Sequence, residues 1–308
     1  MNWLIIAPNS KESHIKALKE YLEKKFKIIP YEIFIYNNIP RDELFDDLKH
    51  ITQATHCIIL DAATVSESPD YGFILGILLG KQVRTFILEG RPFEHRYLEV
   101  DKTKRPLLRM YKQLDDLFYA MSSDYEQFVK EDKQRQALTR LFAMGVPFTS
   151  DCFAQYIAKD DTETCNLFFD AGMLVNARTS DGVPILSVAI RNDCDLKVQW
   201  LLENGADINA VSNDRGYSAV MDAVWRKNYS MTKYLIEQGA DLNFISSDGQ
   251  SILVLAVGNG NYNIVELLLE SGADPDIKDS MGMSARGYAN LFKKPGMVEL
   301  MERFPPKK

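Results

Sequence analysis

The chain has 308 residues, 46% of them hydrophobic and 26% charged, with a net charge of −7; this is the balance of a soluble globular protein long enough for two domains. Its longest unbroken apolar run is the 8 residues from Phe73 to Gly80, far short of the ~20 that a membrane span needs. The opening "WLIIA" has no basic flank before it and no small-residue cleavage pattern after it, so neither membrane contact nor secretion is expected and the location is read as cytoplasmic. Residues 1–130 hold 18 Lys and Arg against 19 Asp and Glu, whereas 131–308 hold 18 against 24. The acidic second half repels phosphate backbones, which excludes nucleic acid as its partner. The four cysteines form no C-x-x-C pair and the four histidines no i, i+4 pair, so no zinc site, disulfide framework or cofactor is indicated.

From residue 2 the chain alternates strand and helix patterns. "NWLII" reads as a buried strand and is followed by the amphipathic "SKESHIKALKEYLEKKF", with Ser10 or Ser13 as cap and Ile15, Leu18 and Leu22 on one stripe. Next come a strand "YEIFIY", a helix "PRDELFDDLKHI" opened by Pro40, a strand "HCIIL", a helix "DYGFILGILLG" and a strand "VRTFIL". This alternation predicts a doubly wound, mostly parallel sheet of four to five strands, flavodoxin-like in class. Ligands of such sheets sit beyond the carboxyl ends of the strands, which points to the loops at residues 7–11, 61–70 and 89–93. Pro8, Asn9, Ser10, Asp61, Asp70 and Gly72 are the candidate ligand-binding residues there.

The glycines of "DYGFILGILLG" are Gly72, Gly76 and Gly80, four apart and along one helix face. They form neither a Walker loop nor a dinucleotide fingerprint, because Lys81 precedes Gln82 and the glycines lie inside the helix. A bare face of this kind predicts close approach to the sheet or to another helix.

The stretch "CIILDAATVSESPDYGFILGILLGKQVRTFIL" resembles nucleoside 2-deoxyribosyltransferases and, more distantly, TIR-type domains. Asp61, Asp70, Gly72, Gly76, Gly80 and Lys81 carry the likeness, and "NWLIIAP" is similar to the family's first strand and loop. The resemblance implies a nucleoside or nucleotide pocket. It also implies a carboxylate acting at the anomeric carbon as an N-glycosidic bond breaks. The family's glutamate is replaced here by Ile74 or Gly72, depending on which side of the motif is aligned. The substitutes on the candidate loops are Glu67, Asp70 and Glu89. The two readings are a non-catalytic relative that still recognises a nucleoside, and an active N-glycosidic hydrolase or transferase with the second domain as its targeting arm.

Between the halves, "RPFEHRYLEVDKTKRPLLRMYKQLDDLFYAMSSDYEQFVKEDKQRQ" reads as a basic loop and then helices through Leu107, Met110, Leu114, Leu117, Phe118 and Phe128. No Gly/Ser linker intervenes, so domains at 1–130 and 131–308 are expected to be rigidly coupled.

The second half repeats. "LLENGADIN", "LIEQGADLN" and "LLESGADPD" place glycine at 205, 239 and 272, and a degenerate copy, "FFDAGMLVN", places Gly172. Gly182, Gly216, Gly249 and Gly282 form a second column, with Ala189, Ala223, Ala256 and Ala289 seven residues after them. The period of 33 to 34 residues, with "PILSVA", "SAVMDA", "SILVLA" and "SARGYA" in register, resembles the ankyrin repeat family. The family's signature histidine is replaced by Ser187, Met221, Val254 or Gly287. The resemblance implies an all-α solenoid of about four to five units over residues 134–306, including caps. It also implies a protein partner on the concave side. Carried onto this chain, the variable positions of that face are Arg191 and Asn192, Trp225 and Arg226, and Gly258 and Asn259; Arg191, Trp225, Arg226 and Asn259 are the partner-binding candidates, with Phe244 near a turn tip. Trp225 beside Arg226 has the composition of an interface anchor.

Overall fold

The computed structural model describes residues 1–35, 41–65, 68–88, 108–293 and 295–305. The chain divides into two compact units, Met1–Lys133 and Gln134–Lys308.

In the first unit the four apolar runs become β1 (Trp3–Ala7), β2 (Tyr31–Phe34), β3 (His56–Leu60) and β4 (Arg84–Leu88). A fifth strand, β5 (Leu108–Tyr111), completes a sheet in which every pairing is parallel and the order is β2-β1-β3-β4-β5. The three inner strands are buried along their whole length. This is why they read as continuous apolar runs instead of alternating ones.

Helices cover both faces of the sheet. These are α1 (Ser13–Tyr21, prolonged by a π turn to Phe26), α2 (Arg41–Gln53), the single turn α3 (Ala62–Val65), α4 (Pro69–Gly80), α5 (Leu114–Ser123) and the first part, to residue 133, of α6 (Tyr125–Ala143). Trp3, Ile5, Ile58 and Phe86 point to one face, where they meet Leu18, Leu117, Met121 and Phe128. Their neighbours Leu4, Ile6, Ile59 and Ile87 point to the other, against Ile51, Ile74 and Leu78. Each fully buried side chain of this kind contributes about 1.5–3 kcal/mol.

Three expectations are corrected. The stretch from Leu108 to Tyr111 is a strand pairing with β4, not part of a helix. The spacing of Met110 and Leu114 imitated a helical stripe because it joins the end of a strand, a turn and the start of α5; Leu107 lies outside the described residues. The residue before α1 is Glu12, with no side-chain cap; Ser13 is already in the helix. The glycines of α4 face outward, and a Cβ added at Gly72, Gly76 or Gly80 would meet nothing within 4 Å. Tyr71, Ile74 and Leu78 supply the sheet contact instead, and Phe73 on the outer side is 54% exposed.

The second unit stacks five helix pairs among the described residues. They are α7/α8 (Ser150–Ala158, Thr162–Asp170), α9/α10 (Ile185–Arg191, Asp195–Glu203), α11/α12 (Ala219–Trp225, Tyr229–Glu237), α13/α14 (Ile252–Asn259, Tyr262–Glu270) and α15/α16 (Ala285–Leu291, Pro295–Glu302). One continuous core runs through all of them, from Ala137 to Met301. No pair could bury its apolar face alone, so stability is a sum over neighbouring contacts.

The glycines after the second helices, Gly172, Gly205, Gly239 and Gly272, take φ of 97°, 86°, 88° and 94°. These are the left-handed values that end a helix without a Cβ penalty. No described helix is long and apolar enough to cross a membrane.

Candidate functional site

The first helices of the pairs and the turn tips before them form one face of the repeat array. It is held in register by bonds between successive turns. The Oδ1 atoms of Asn176, Asn209 and Asn243 accept the backbone N–H of Asp207, Asp241 and Asp274 in the next repeat, at 2.8, 2.9 and 2.9 Å. At the end of this ladder stands Asp276. Its carboxylate takes two bonds from Arg286, at 2.9 and 3.1 Å, and Arg286 also donates to the Met301 and Phe304 carbonyls. The turn glycines pack just as closely. A Cβ on Gly216 would lie 1.9 Å from Ser247 Oγ and 2.6 Å from its backbone nitrogen.

Most of the predicted partner-binding residues are engaged within this stack. Arg191 donates to Asp222 Oδ1 at 2.9 Å, to both oxygens of Asp214 at 2.6 and 3.1 Å, and to Ser212 Oγ at 3.1 Å. Hydrogen bonding from Arg191 holds the Asp214 carboxyl down at about 2. Burial raises the Asp222 carboxyl, an effect that the Arg191 pairing only partly offsets. Arg226 pairs with Asp193 of the preceding repeat. Asn259 donates to the Val224 carbonyl at 3.1 Å, and Phe244 is half-buried against the core.

Trp225 is different. It is 47% exposed, with Tyr217 edge-on at 6.4 Å and the Arg215 guanidinium 6.0 Å from its ring centre. It forms one wall of a recess of about 360 Å³, whose floor is Leu255 and Gly258 and whose far walls are Met281, Tyr288 and Phe292. Gly258 holds the same position in its helix as Arg191 and Trp225 in theirs, one repeat on each time. A column that carries a large side chain elsewhere is empty here. The sequence pattern exposed Gly258 through that column, but Met281 and Phe292 sit in turns and had no such signal.

In the first unit the candidate ligand residues gather at one end of the sheet. The parallel register that pairs Ile6 with Ile59 puts the loops after β1 and β3 at the same edge, where the strand order reverses. Pro8 is buried, and Asn9 and Ser10 are exposed; Asn9 Oδ1 accepts the Lys11 N–H at 2.9 Å. Asp61 closes β3 with φ of 43° and accepts the Thr64 hydroxyl at 2.8 Å. Asp70 lies half-buried in the first turn of α4, its N–H bonded to the Ser68 cap, and Gly72 is on the outer face. Glu67 and Glu89 lie outside the described residues.

A family model for ankyrin repeats, in three copies, matches residues 186–279. An ankyrin repeat-containing protein of Treponema pallidum (strain Nichols) is 33% identical over 251 residues, which is 82% of this chain and 83% of that protein. The human B-cell lymphoma 3 protein is 44% identical over 57 residues, 18% of this chain and 13% of its own length. A crystal structure of the ankyrin repeat domain of Bcl-3, titled a unique member of the IkappaB protein family, is 30% identical. It covers 49% of this chain and 67% of that domain, with a TM-score of 0.45. A relative 33% identical over 82% of this chain and 83% of its own length thus shows that the chain belongs to the family of ankyrin repeat-containing proteins.

Proposed function

We propose that the protein recognises a protein partner through the concave, first-helix face of its repeats, with Trp225 as the anchor. The observation that carries this reading is the half-exposed indole beside an open recess, on a face where Arg191, Arg226 and Asn259 are tied to neighbouring repeats. Buried aromatic anchors dominate interface energies, and an exposed tryptophan that its own fold does not cover is suited to that part. The free, largely buried thiols support a reducing, cytoplasmic setting.

A photo-crosslinking residue placed at 225 should capture the partner in cells, whereas the same residue at Leu196, 70% exposed in the second helix α10, should not. Capture at 196 alone would refute the reading.

A second proposal concerns the α/β unit: a nucleoside or nucleotide bound at the carboxyl edge of the sheet, with or without cleavage of its N-glycosidic bond. It is supported by Asp61, a non-glycine residue in the left-handed region where the strand order reverses. Residues held in sparsely populated backbone regions cluster at functional sites, and unlike Asp160 and Asp193 in the repeat turns, Asp61 stands at the carboxyl end of a sheet strand. Incubation with NAD and with deoxynucleosides, followed by chromatography for released base, tests the enzymatic form. The binding form predicts a ligand-induced rise in melting temperature that Asp61→Ala abolishes, and no rise with any nucleoside would sink it.

A further inference from the structure

We infer that the recess over Gly258 receives a short extended peptide segment of the partner in which a lysine or arginine lies next to a large apolar side chain. This rests on the reading that the first-helix face is the partner surface and names the chemistry of what docks there.

The apolar half of the argument is geometric. Trp225, Met281 and Phe292, which are 47%, 76% and 49% exposed, stand around a floor made by Leu255 and the bare Gly258. A Cβ on Gly258 would meet nothing within 4 Å, and its φ is not in the left-handed region. Neither packing nor backbone conformation therefore calls for glycine at this position. At about 360 Å³ the recess lies at the low end of the roughly 300–1,000 Å³ typical of small-ligand sites. Walls this exposed suit the side chain of a bound peptide better than an engulfed small molecule.

The charged half comes from complementarity. Asp248 and Asp279 line the recess. Asp279 accepts the Tyr288 hydroxyl and the Met283 and Met281 N–H groups, bonds that lower its carboxyl below the ordinary carboxylate range. Asp248 is exposed, bonds to the Ser246 hydroxyl, and forms no ion pair among the described residues. Residues 134–308 as a whole carry 17 Lys and Arg against 22 Asp and Glu. A cation entering this rim meets two carboxylates against the single Arg215 guanidinium over Trp225, a balance that disfavours an acidic peptide.

The test is selection of random 12-residue peptides displayed on phage against the full-length protein. Synthetic versions of the enriched peptides are then titrated by fluorescence anisotropy. Enriched peptides should carry Lys or Arg within three residues of Leu, Met, Phe or Trp. Gly258→Leu should weaken them at least tenfold without lowering the melting temperature, since leucine is favoured over glycine inside a helix. Asp248→Lys should weaken them as well and shift selection towards acidic peptides.

Enrichment of acidic or uncharged peptides, absence of any enrichment, or peptides that bind Gly258→Leu as well as the parent would each overturn the inference. Peptides that ignore Gly258→Leu but are lost with Trp225→Ala would leave the first-helix face as the partner surface and remove only this recess. No enriched peptide together with no capture at position 225 would remove both.

Discussion

The Arg191–Asp222 pair offers the sharpest quantitative test of the repeat array. Asp222 is fully buried and Arg191 is 16% exposed, so both charges lie largely out of water, joining one repeat to the next. Replacing Arg191 with methionine keeps most of the apolar stem and removes the charge. An abandoned buried carboxylate costs about 3–5 kcal/mol. The lost contact with Asp214, which is 34% exposed, adds at most about 1 kcal/mol because solvent screens it. Protonation of Asp222 gives the variant a partial escape, so the expected loss at pH 7 is about 3–4 kcal/mol. For a unit of this size that is a fall in melting temperature of roughly 6–15 °C.

The pH dependence has a definite sign. The Asp222 carboxyl is raised in the folded state, so its contribution is fully present at low pH and is lost as pH rises through the folded value. Asp214, held at about 2, acts the other way: its contribution is present above the ordinary carboxylate range and is lost as pH falls towards 2. In Arg191→Met the Asp214 contribution disappears and protonation of Asp222 becomes more favourable, so the deficit should shrink between pH 8 and pH 5. Urea unfolding of the full-length protein at the two pH values, followed by circular dichroism, measures this. The double variant Arg191→Met/Asp222→Leu should recover most of the loss, because an apolar pair needs no desolvation. A single-variant cost below about 1 kcal/mol, or a double variant no better than the single, would refute the reasoning.

Other outcomes can be checked on the same protein. Gly282→Ala should cost about 1–2 kcal/mol for its left-handed backbone alone, since φ is 78° and the space around it is open. Gly216→Ala should cost clearly more in the same denaturation assay, because the new methyl meets the Ser247 backbone. Arg286→Met should free the end of the array, read as faster hydrogen exchange in α16 with α9 to α12 unchanged, since its bonds hold the Met301 and Phe304 carbonyls. Burial raises the Cys57 and Cys165 thiols, Cys165 to about 12. A thiol reagent should therefore label the part-buried Cys152 first, and reach Cys57 and Cys165 only in denaturant.

Both architectures were legible from residue patterns because their signals are local. Apolar runs such as "HCIIL" mark a strand covered on both faces, whatever covers it. The doubled columns of glycine and alanine mark a repeat before any contact is known. The fifth strand escaped because Leu108 to Tyr111 is only four residues long and sits in phase with the helix that follows it. One further column was present but unread: Asp160, Asp193, Lys227, Gly260 and Lys293 all take left-handed φ between paired helices. Apart from Gly260, its residue types did not give that conformation away.

The candidate site divides along the same line. Periodicity alone placed Arg191, Trp225 and Gly258 in equivalent positions of successive units. Stacking then gave them different fates: Arg191 meets Asp222 and Asp214 from the next repeat, Trp225 is left uncovered, and Gly258 opens a recess between Trp225 and Phe292. The outward glycine face of α4 was undecidable from spacing for the same reason. A helical period says which residues share a face, but what that face meets is set by chain that lies far away in sequence and close in space.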